Sequence, residues 1–507
     1  MIREYDIPRL PGHHWLFGDL ITIGKTMSKY PSDTHGQWMP YFIMRDYPEI
    51  EKAGICYFDL WPISWPMCSV FHPDIAAQFT QESSQPKHDL VRNEFRPLTG
   101  LKDLVLSEGN FWKKWRAIFN PGFSIQNVMA LVPSFVEEVT VWKQYLEKTA
   151  QTGETIRLED SVMKVTCDII GHAVLGKSLG IQTGRDDIIY PALKNAIGLL
   201  VSDWSPSQWG NHLSPFRMPK LWYYNRILHN ELHSLISKQL TNHESIDGPK
   251  TINKLAVKTY LKDFGGRNDM SDDVHSEFLD ITVQNLKIFL FAGHDTTATT
   301  LCYIYYYLYH HPDVLKKVLA EHDSVFSTDL SKTPQQISDN PLLLNQLPYT
   351  TAVIKECLRL EPPVGSVRAG SPNLLLTQPE TGQRLPTDKF MLFSTSKALH
   401  RNEKYWSKPN EFIPERWLDT NALRKNLFRP FELGPRSCIG QELAQTELKL
   451  ILVMTARELE IVPMYDETDP YILGSQAYQV NMPGELTAHP KKGLPATIRL
   501  RKKSMSS

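Results

Sequence analysis

The chain has 507 residues, 41% of them hydrophobic and 22% charged, which is ordinary for a protein with a large buried core, whether in one large domain or in two to four smaller ones. Its 55 basic and 56 acidic side chains nearly cancel, so there is no electrostatic footprint for nucleic acid. The six cysteines (Cys56, Cys68, Cys167, Cys302, Cys357 and Cys438) are scattered without a C-x-x-C pair, which argues against a disulfide framework or a zinc site, and neither a membrane-spanning apolar run nor a signal-peptide core is present.

Residues 54–71 are aromatic and β-branched but broken by Pro62 and Pro66, which predicts two short strands of a small sheet. His72-Pro73-Asp74 then starts a short helix to about Thr80. Residues 82–108 are polar and read as a long loop, and a loop of that length inside a compact domain is usually functional. A helix begins at Phe111; Trp112 and Arg116, at i and i+4, share one of its faces. On their own the two also fit a surface cation–π pair. Asn120-Pro121-Gly122-Phe123 closes that helix. Amphipathic helical segments follow at about 126–150, 157–178 and 189–203.

Trp204 to Pro219 reads as irregular, with Trp204, Trp209, Phe216 and Met218 forming an apolar patch for a membrane surface or an access channel, or else core. A helix over about 220–242 and a flexible connection over 243–272 come next. From Asp272 to His310 the pattern is helical and close to 40 residues long, which predicts a helix through the middle of the molecule.

Inside it lies Ala292-Gly293-His294-Asp295-Thr296-Thr297. A mid-helix glycine costs about 1 kcal/mol relative to alanine. Two threonines weaken the helix further, a concession that functional sites tend to make. The compensation expected is room for dioxygen and water. Ala292 and Thr296 share a face, which fits a proton relay in which Asp295 passes protons inward to the Thr296 hydroxyl. A threonine kink in a buried helix is the other reading of these six residues.

Pro348 opens a helix that ends before Pro362-Pro363 and carries Glu356 and Arg359 at i and i+3. Buried, that pair demands a third partner, and Arg416 of Pro414-Glu415-Arg416-Trp417 is the candidate. Arg368 lies in an extended stretch, and a plain surface arginine is its bland reading. Past the last long helix, strands are predicted at about 460–465 and 495–501, bracketing a loop near Ile472 to Met482. The basic tail at 499–503 reads as solvated.

The stretch that organises the rest is Phe431-Glu432-Leu433-Gly434-Pro435-Arg436-Ser437-Cys438-Ile439-Gly440, running into an apolar helical pattern from Leu443 to Leu459. A thiolate ligand for haem iron needs backbone N–H donors and a helix N-terminus beside the sulfur. Gly434 and Gly440 would let the backbone pass close to a flat macrocycle. Arg436 is within reach of a propionate, and a thiolate pushes electron density onto iron and favours O–O cleavage.

This spacing resembles the haem-ligand signature of the cytochrome P-450 superfamily, and its wording is closest to fungal members of secondary-metabolite pathways. One departure is Glu432, where the family often has Gly. Four further stretches match in order: Trp112-x-x-x-Arg116, the Ala292–Thr297 stretch at every position, Glu356-x-x-Arg359, and Pro-Glu-Arg-Trp with Trp417 in place of Phe. The likeness spans about residues 7–500.

The resemblance implies a mainly α fold with a small β-rich subdomain, a long central helix over haem, and one domain over 1–507. Its parts would be a proline-containing hinge at 1–20, a β-rich lobe at about 21–80 plus 365–400, and a helical remainder. It implies haem b held by Cys438, with Phe431, Gly434, Arg436, Gly440, Trp112, Arg116, Arg368 and Ala292 around it. Asp295 and Thr296 would be the catalytic pair, and Glu356, Arg359 and Arg416 a structural triad. His400 is expected to be structural.

The activity implied is insertion of one atom of O2 into a lipophilic substrate. Desaturation, ring closure or rearrangement at the same site, hydroxylation of a fatty acid or foreign compound, and a haem sensor are the alternatives. Retained Asp295 and Thr296 favour oxygen activation. No dinucleotide-binding glycine motif appears, so electrons from NADPH would come through a separate cytochrome P-450 reductase, with cytochrome b5 as a second donor. Lys113, Lys114, Arg424, Lys425 and Arg429 would form its basic dock. The hinge-like Ile7-Pro8-Arg9-Leu10-Pro11-Gly12 follows an N-terminal anchor in eukaryotic members; no anchor precedes it here, so the endoplasmic reticulum surface and a soluble state are both compatible.

Overall fold

The structure is a computed structural model that describes residues 6–185, 188–200, 210, 213–242, 249–264, 272–419, 424–480 and 487–501. Helices dominate it, and five of them, Ile125–Thr152, Leu158–Leu175, Arg217–Asn242, Asp272–His310 and Gln441–Thr455, build the frame of the site. Local chemistry sets their ends. Ser124 caps the first through its hydroxyl, which accepts from Asn127 N at 3.4 Å, and Gly153 ends it at φ +67°. The 39-residue helix runs as predicted from Asp272 to His310 and stops before Pro312, which begins the next helix. Its most extensive contact is with the Leu158–Leu175 helix. From Ala298 to Leu308 nearly all of its circumference is buried, as expected for a helix through the middle of a core.

The two strands predicted before residue 72 are present as Ile55–Phe58 and Met67–Val70, paired antiparallel. Every position in both is buried, so the sheet is covered on both faces. Met67–Val70 also pairs in parallel with Met391–Ser394, which in turn pairs antiparallel with Ser366–Ala369. The sheet thus joins chain segments from opposite ends of the sequence and carries Arg368 toward the site. A three-stranded sheet at the other end pairs Leu459–Pro463 and Ile156–Arg157 with Pro495–Leu500, where the late strands were expected.

Two expectations fail. Residues 82–108 are not a long loop, because Asp89–Thr99 is a helix. His88 caps it, its Nδ1 accepting from Leu90 N at 3.1 Å. Leu90, Val91, Phe95 and Leu98 supply an inward face that the many polar neighbours hide in a window average, and Pro97 removes one bond near the end of the helix, which stops at Thr99. Likewise 243–272 is not one flexible connection: Ile252–Phe264 is helical, while 243–248 and 265–271 lie outside the described residues. Of the predicted apolar patch, Trp204 and Trp209 also lie outside; Phe216 and Met218 are exposed at the start of the Arg217–Asn242 helix. Residues 481–482 and 502–503 of the predicted late loop and tail are likewise outside. No described helix is long and apolar enough to cross a membrane.

Candidate active site

A cavity of about 570 Å³ lies between the long helix and the cysteine loop. Ala292, Gly293, Thr296 and Thr297 form one wall, and Phe431, Cys438, Ile439 and Gly440 another. Val91 and Phe95 of the unexpected helix complete an apolar side. The sulfur of Cys438 is open to this cavity while protein encloses the loop around it.

The loop is a tight backbone construction. Cys438 N donates to Phe431 O at 2.8 Å, and Ser437 N to Gly434 O at 3.0 Å. Gly434 sits at φ +91°, and a Cβ there would lie 2.4 Å from the Thr80 carbonyl oxygen. Its glycine is therefore required by the protein's own backbone, rather than by a macrocycle as expected. Gly440 is the opposite case: an added Cβ would meet only the Cys438 sulfur, at 3.9 Å, so the space it leaves faces the cavity.

Glu432, the departure from the family pattern, is at φ +55°. Holding a side chain there costs of order 1 kcal/mol, which explains a glycine in relatives. Here the carboxylate offsets it by accepting from Arg429 Nε at 2.7 Å and from Leu433 N at 3.2 Å. Arg429 is consequently buried, also donating to Thr80 Oγ1 at 2.7 Å, and it is not part of a surface dock. Arg424, also expected there, is exposed but paired with Asp74 at 2.6 Å.

Burial pushes the Cys438 thiol up, opposed by the Gly440 N–H and by the Arg116 guanidinium. Arg116 reaches the loop directly, its Nη1 donating to Ser437 O at 3.0 Å. Arg436 donates to the carbonyls of Ser107 and Val105 at 2.9 and 3.0 Å and approaches Glu108 at 3.3 Å. Its guanidinium lies 4.5 Å from the Trp112 ring centre, and burial brings its pKa down to about 10.

Arg368 is 1% exposed, yet its Nε and Nη2 have no hydrogen-bond partner among the described residues. Lys87, which the sequence did not single out, lines the cavity, as Arg368 itself does not, and donates to Ser366 Oγ at 2.6 Å. Burial, then Arg368 and Arg436, push its pKa down to about 7. A buried cationic cluster with unspent donors, at one side of an apolar cavity that also holds a thiol, fits a flat apolar group bearing carboxylates and an iron.

On the long helix the hydroxyls turn back on the backbone. Thr296 Oγ1 donates to Ala292 O at 3.0 Å and Thr297 Oγ1 to Gly293 O at 3.1 Å. Gly293 has a packing reason that was not foreseen: a Cβ would lie 2.5 Å from Ile170 Cδ1 on the neighbouring helix. Asp295 is buried and is absent from the cavity wall; its Oδ2 accepts from Thr487 Oγ1 at 2.6 Å, and Thr487 is on the wall. Neither Thr487 nor His489 behind it carried any signal in the sequence.

Glu356, Arg359 and Arg416 meet. Arg359 Nε and Nη2 donate to the two Glu356 oxygens at 2.9 and 2.8 Å, and Arg416 Nε donates to Oε1 at 3.0 Å. Trp417, which replaces the usual Phe, uses its indole N–H on Oε2 at 2.9 Å, a bond Phe could not make. Arg359 spends its remaining donors on the carbonyls of His400, Pro409 and Glu411. His400 Nε2 accepts from Arg429 N at 3.0 Å, so its ring belongs to the scaffold of the cysteine loop.

The cytochrome P-450 family model matches residues 8–487. The cytochrome P-450 monooxygenase polC of Polytolypa hystricis is 35% identical, over 97% of this chain and 89% of that protein. The monooxygenase acrF of Aspergillus aculeatus is 33% identical, over 93% and 98%. A crystal structure of a cytochrome P-450DA heme domain superposes with a TM-score of 0.76 at 20% identity, over 98% of this chain and 97% of that one, a likeness of fold.

Proposed function

Because the chain belongs to the cytochrome P-450 family of oxygen-dependent haem-thiolate monooxygenases, we propose that Cys438 would hold the haem iron through its thiolate and that the protein oxidises a lipophilic intermediate of secondary metabolism. The observation that carries the first half is the single thiol in the cavity wall, set between the Gly440 N–H and Arg116. The names of its fungal relatives support the monooxygenase chemistry, and the resemblance of the cysteine loop to fungal secondary-metabolite members supports the substrate class.

When bound, haem supplies the activation of dioxygen. The chain does the rest. Arg368, Arg436 and Lys87 would hold the haem carboxylates; Arg116 fixes the Ser437 carbonyl and so the pitch of the cysteine loop. Trp112 supports Arg436 from below its guanidinium plane. Phe431 and Ile439 keep water from the sulfur. On the other wall Ala292 leaves space, while Thr296 presents a hydroxyl and Asp295, to which Thr487 donates, supplies its protons. Glu356, Arg359 and Arg416 hold the segment that leads into the loop.

Electrons come from NADPH through a separate flavoprotein reductase, docked on the exposed Lys113, Lys114 and Lys425. Phe216, Met218 and Trp222, exposed on or beside one helix, support a seat on the endoplasmic reticulum surface. The test is spectroscopic and then chemical. Reduced, CO-bound protein should show the thiolate band, and Cys438→Ser should lose it. With reductase and a panel of terpenoid and polyketide candidates, oxygenated product should form. Haem bound through an imidazole would overturn the assignment.

A further inference from the structure

Behind the cavity a line of side chains leads away from Asp295. Thr487 Oγ1 donates to Asp295 Oδ2 at 2.6 Å. His489 Nε2 lies 2.8 Å from the same Thr487 oxygen, and its Nδ1 lies 2.7 Å from Glu159 Oε1. Thr299 Oγ1 flanks Nδ1 at 3.3 Å. All are buried: His489 is fully enclosed, Glu159 2% and Thr487 3% exposed. The outer end approaches solvent at Arg157, half-exposed, whose Nη2 is 4.0 Å from Glu159 Oε2. Gly493 makes room there, since a Cβ would lie 3.1 Å from that oxygen and 2.7 Å from Arg157 Nε.

We propose that His489 is a proton relay that links Glu159, at the surface end, through Thr487 to Asp295 and the cavity. The inference rests on the reading of Asp295 and Thr296 as the acid–alcohol pair. His489 Nε2 also lies 3.7 Å from Asp295 Oδ1, too far for a hydrogen bond, so the Thr487 hydroxyl is the hydrogen-bonded connection between the two, and each intermediate member can accept and donate. Because Thr487 gives its proton to Asp295, it accepts from His489, so Nε2 carries a hydrogen at rest, and the 2.7 Å contact between Nδ1 and Glu159 Oε1 holds a second hydrogen between them.

One passage moves one proton and no electrons. The hydrogen held between Glu159 and Nδ1 settles on Nδ1, the Nε2 proton passes to Thr487 Oγ1, and the Thr487 hydroxyl proton passes to Asp295. Glu159, left as carboxylate, takes the next proton from the surface end, Asp295 becomes the acid, and reorientation of the imidazole and hydroxyl resets the line. His489 is thus a positioning and relay residue, remote from substrate.

The test uses the haem-loaded enzyme with reductase and NADPH, without added substrate, in H2O and D2O. Thr487→Val and His489→Gln should slow four-electron reduction of oxygen to water about tenfold, less than the roughly 10²–10⁴-fold of a group that transfers a proton at the reacting atoms, because water can fill part of the line. The share of electrons recovered as hydrogen peroxide should rise, and the solvent isotope effect should change. Thr487→Ser, which keeps the hydroxyl, should recover most of what Thr487→Val loses in peroxide share and isotope effect, with the CO-bound spectrum unchanged in all three. If Asp295→Asn and Thr296→Ala shift the peroxide share but Thr487→Val and His489→Gln do not, the relay is refuted alone. If none of the four responds, the acid–alcohol reading fails with it. Should the variants not fold, 15N spectra of the parent protein in its reduced CO-bound form decide: a protonated Nε2 on His489 supports the relay, and an unprotonated Nε2 overturns it.

Discussion

Glu356→Gln tests the idea that one buried carboxylate holds the approach to the cysteine loop. Five donors converge on it: Arg359 Nη2, Ile413 N and Arg416 Nε on Oε1, and Arg359 Nε and Trp417 Nε1 on Oε2. An amide nitrogen cannot accept, so either three or two of the five lose their partner, and the fully buried Arg359 loses its anion. Removing one partner of such a pair costs about 3–5 kcal/mol. At roughly 2.1 cal/mol/K per residue, the 507-residue chain unfolds with an entropy of about 1.1 kcal/mol/K. The expected fall in Tm is therefore only ~3–5 °C, small for so large an energy because the molecule is large. Haem retention should fall more visibly, since Arg359 also ties down the carbonyls of His400, Pro409 and Glu411. Differential scanning calorimetry and the CO-bound spectrum after gel filtration read both. Unchanged Tm and unchanged haem content would refute the reasoning.

Arg368→Ala removes two unspent donors and should speed haem transfer to apomyoglobin about 10- to 100-fold, the equivalent of roughly 1.5–3 kcal/mol for a bond to a charged group. Glu447 lies fully enclosed on the cavity wall with Oε1 unpartnered, and burial pushes its pKa well above the usual 4.5. The fold accommodates its protonated form, so this contribution to stability is complete below pH 4.5 and is lost as pH rises above it. Glu447→Gln should then raise the Tm of the haem-free protein by about 1–3 °C at pH 8 and leave it unchanged at pH 4. Lys113→Glu combined with Lys425→Glu should slow the first reduction by the reductase about tenfold at 0.1 M salt. The gap should close at 1 M, where the Debye length falls from about 10 Å to about 3 Å; stopped-flow reduction measures it, and a salt-independent rate would sink the dock.

What could be read in advance follows from chain distance. The 39-residue helix and the cysteine loop are contiguous, so periodicity and glycine punctuation expose them. Glu356 and Arg359 are one helical turn apart, and only the proline-flanked Arg416 had to be guessed across the fold. Lys87, Thr487 and His489 reach the site by long-range contacts, Lys87 through a bridge to Arg368, Thr487 through its bond to Asp295 and His489 through its bond to Glu159, and no local pattern marks them. Arg429 misled because an arginine in a polar stretch defaults to the surface, while here Glu432 and Thr80 take it inward. Gly434 and Gly293 were noticed for the wrong neighbour, since a sequence does not show which backbone or side chain will press against a missing Cβ.

The parallel pairing of residues 67–70 with 391–394 also has a bearing on biosynthesis. During translation the hairpin of residues 55–70 leaves the ribosome with one edge open, and its closing strand follows some 320 residues later. At about 5–20 residues per second that edge stays bare for tens of seconds. An open, apolar strand edge invites pairing with other nascent chains. Cys438 emerges later still, so pigment supplied early finds no sulfur to bind, and slowing synthesis or supplying a holdase should raise the yield of coloured protein more than extra haem does.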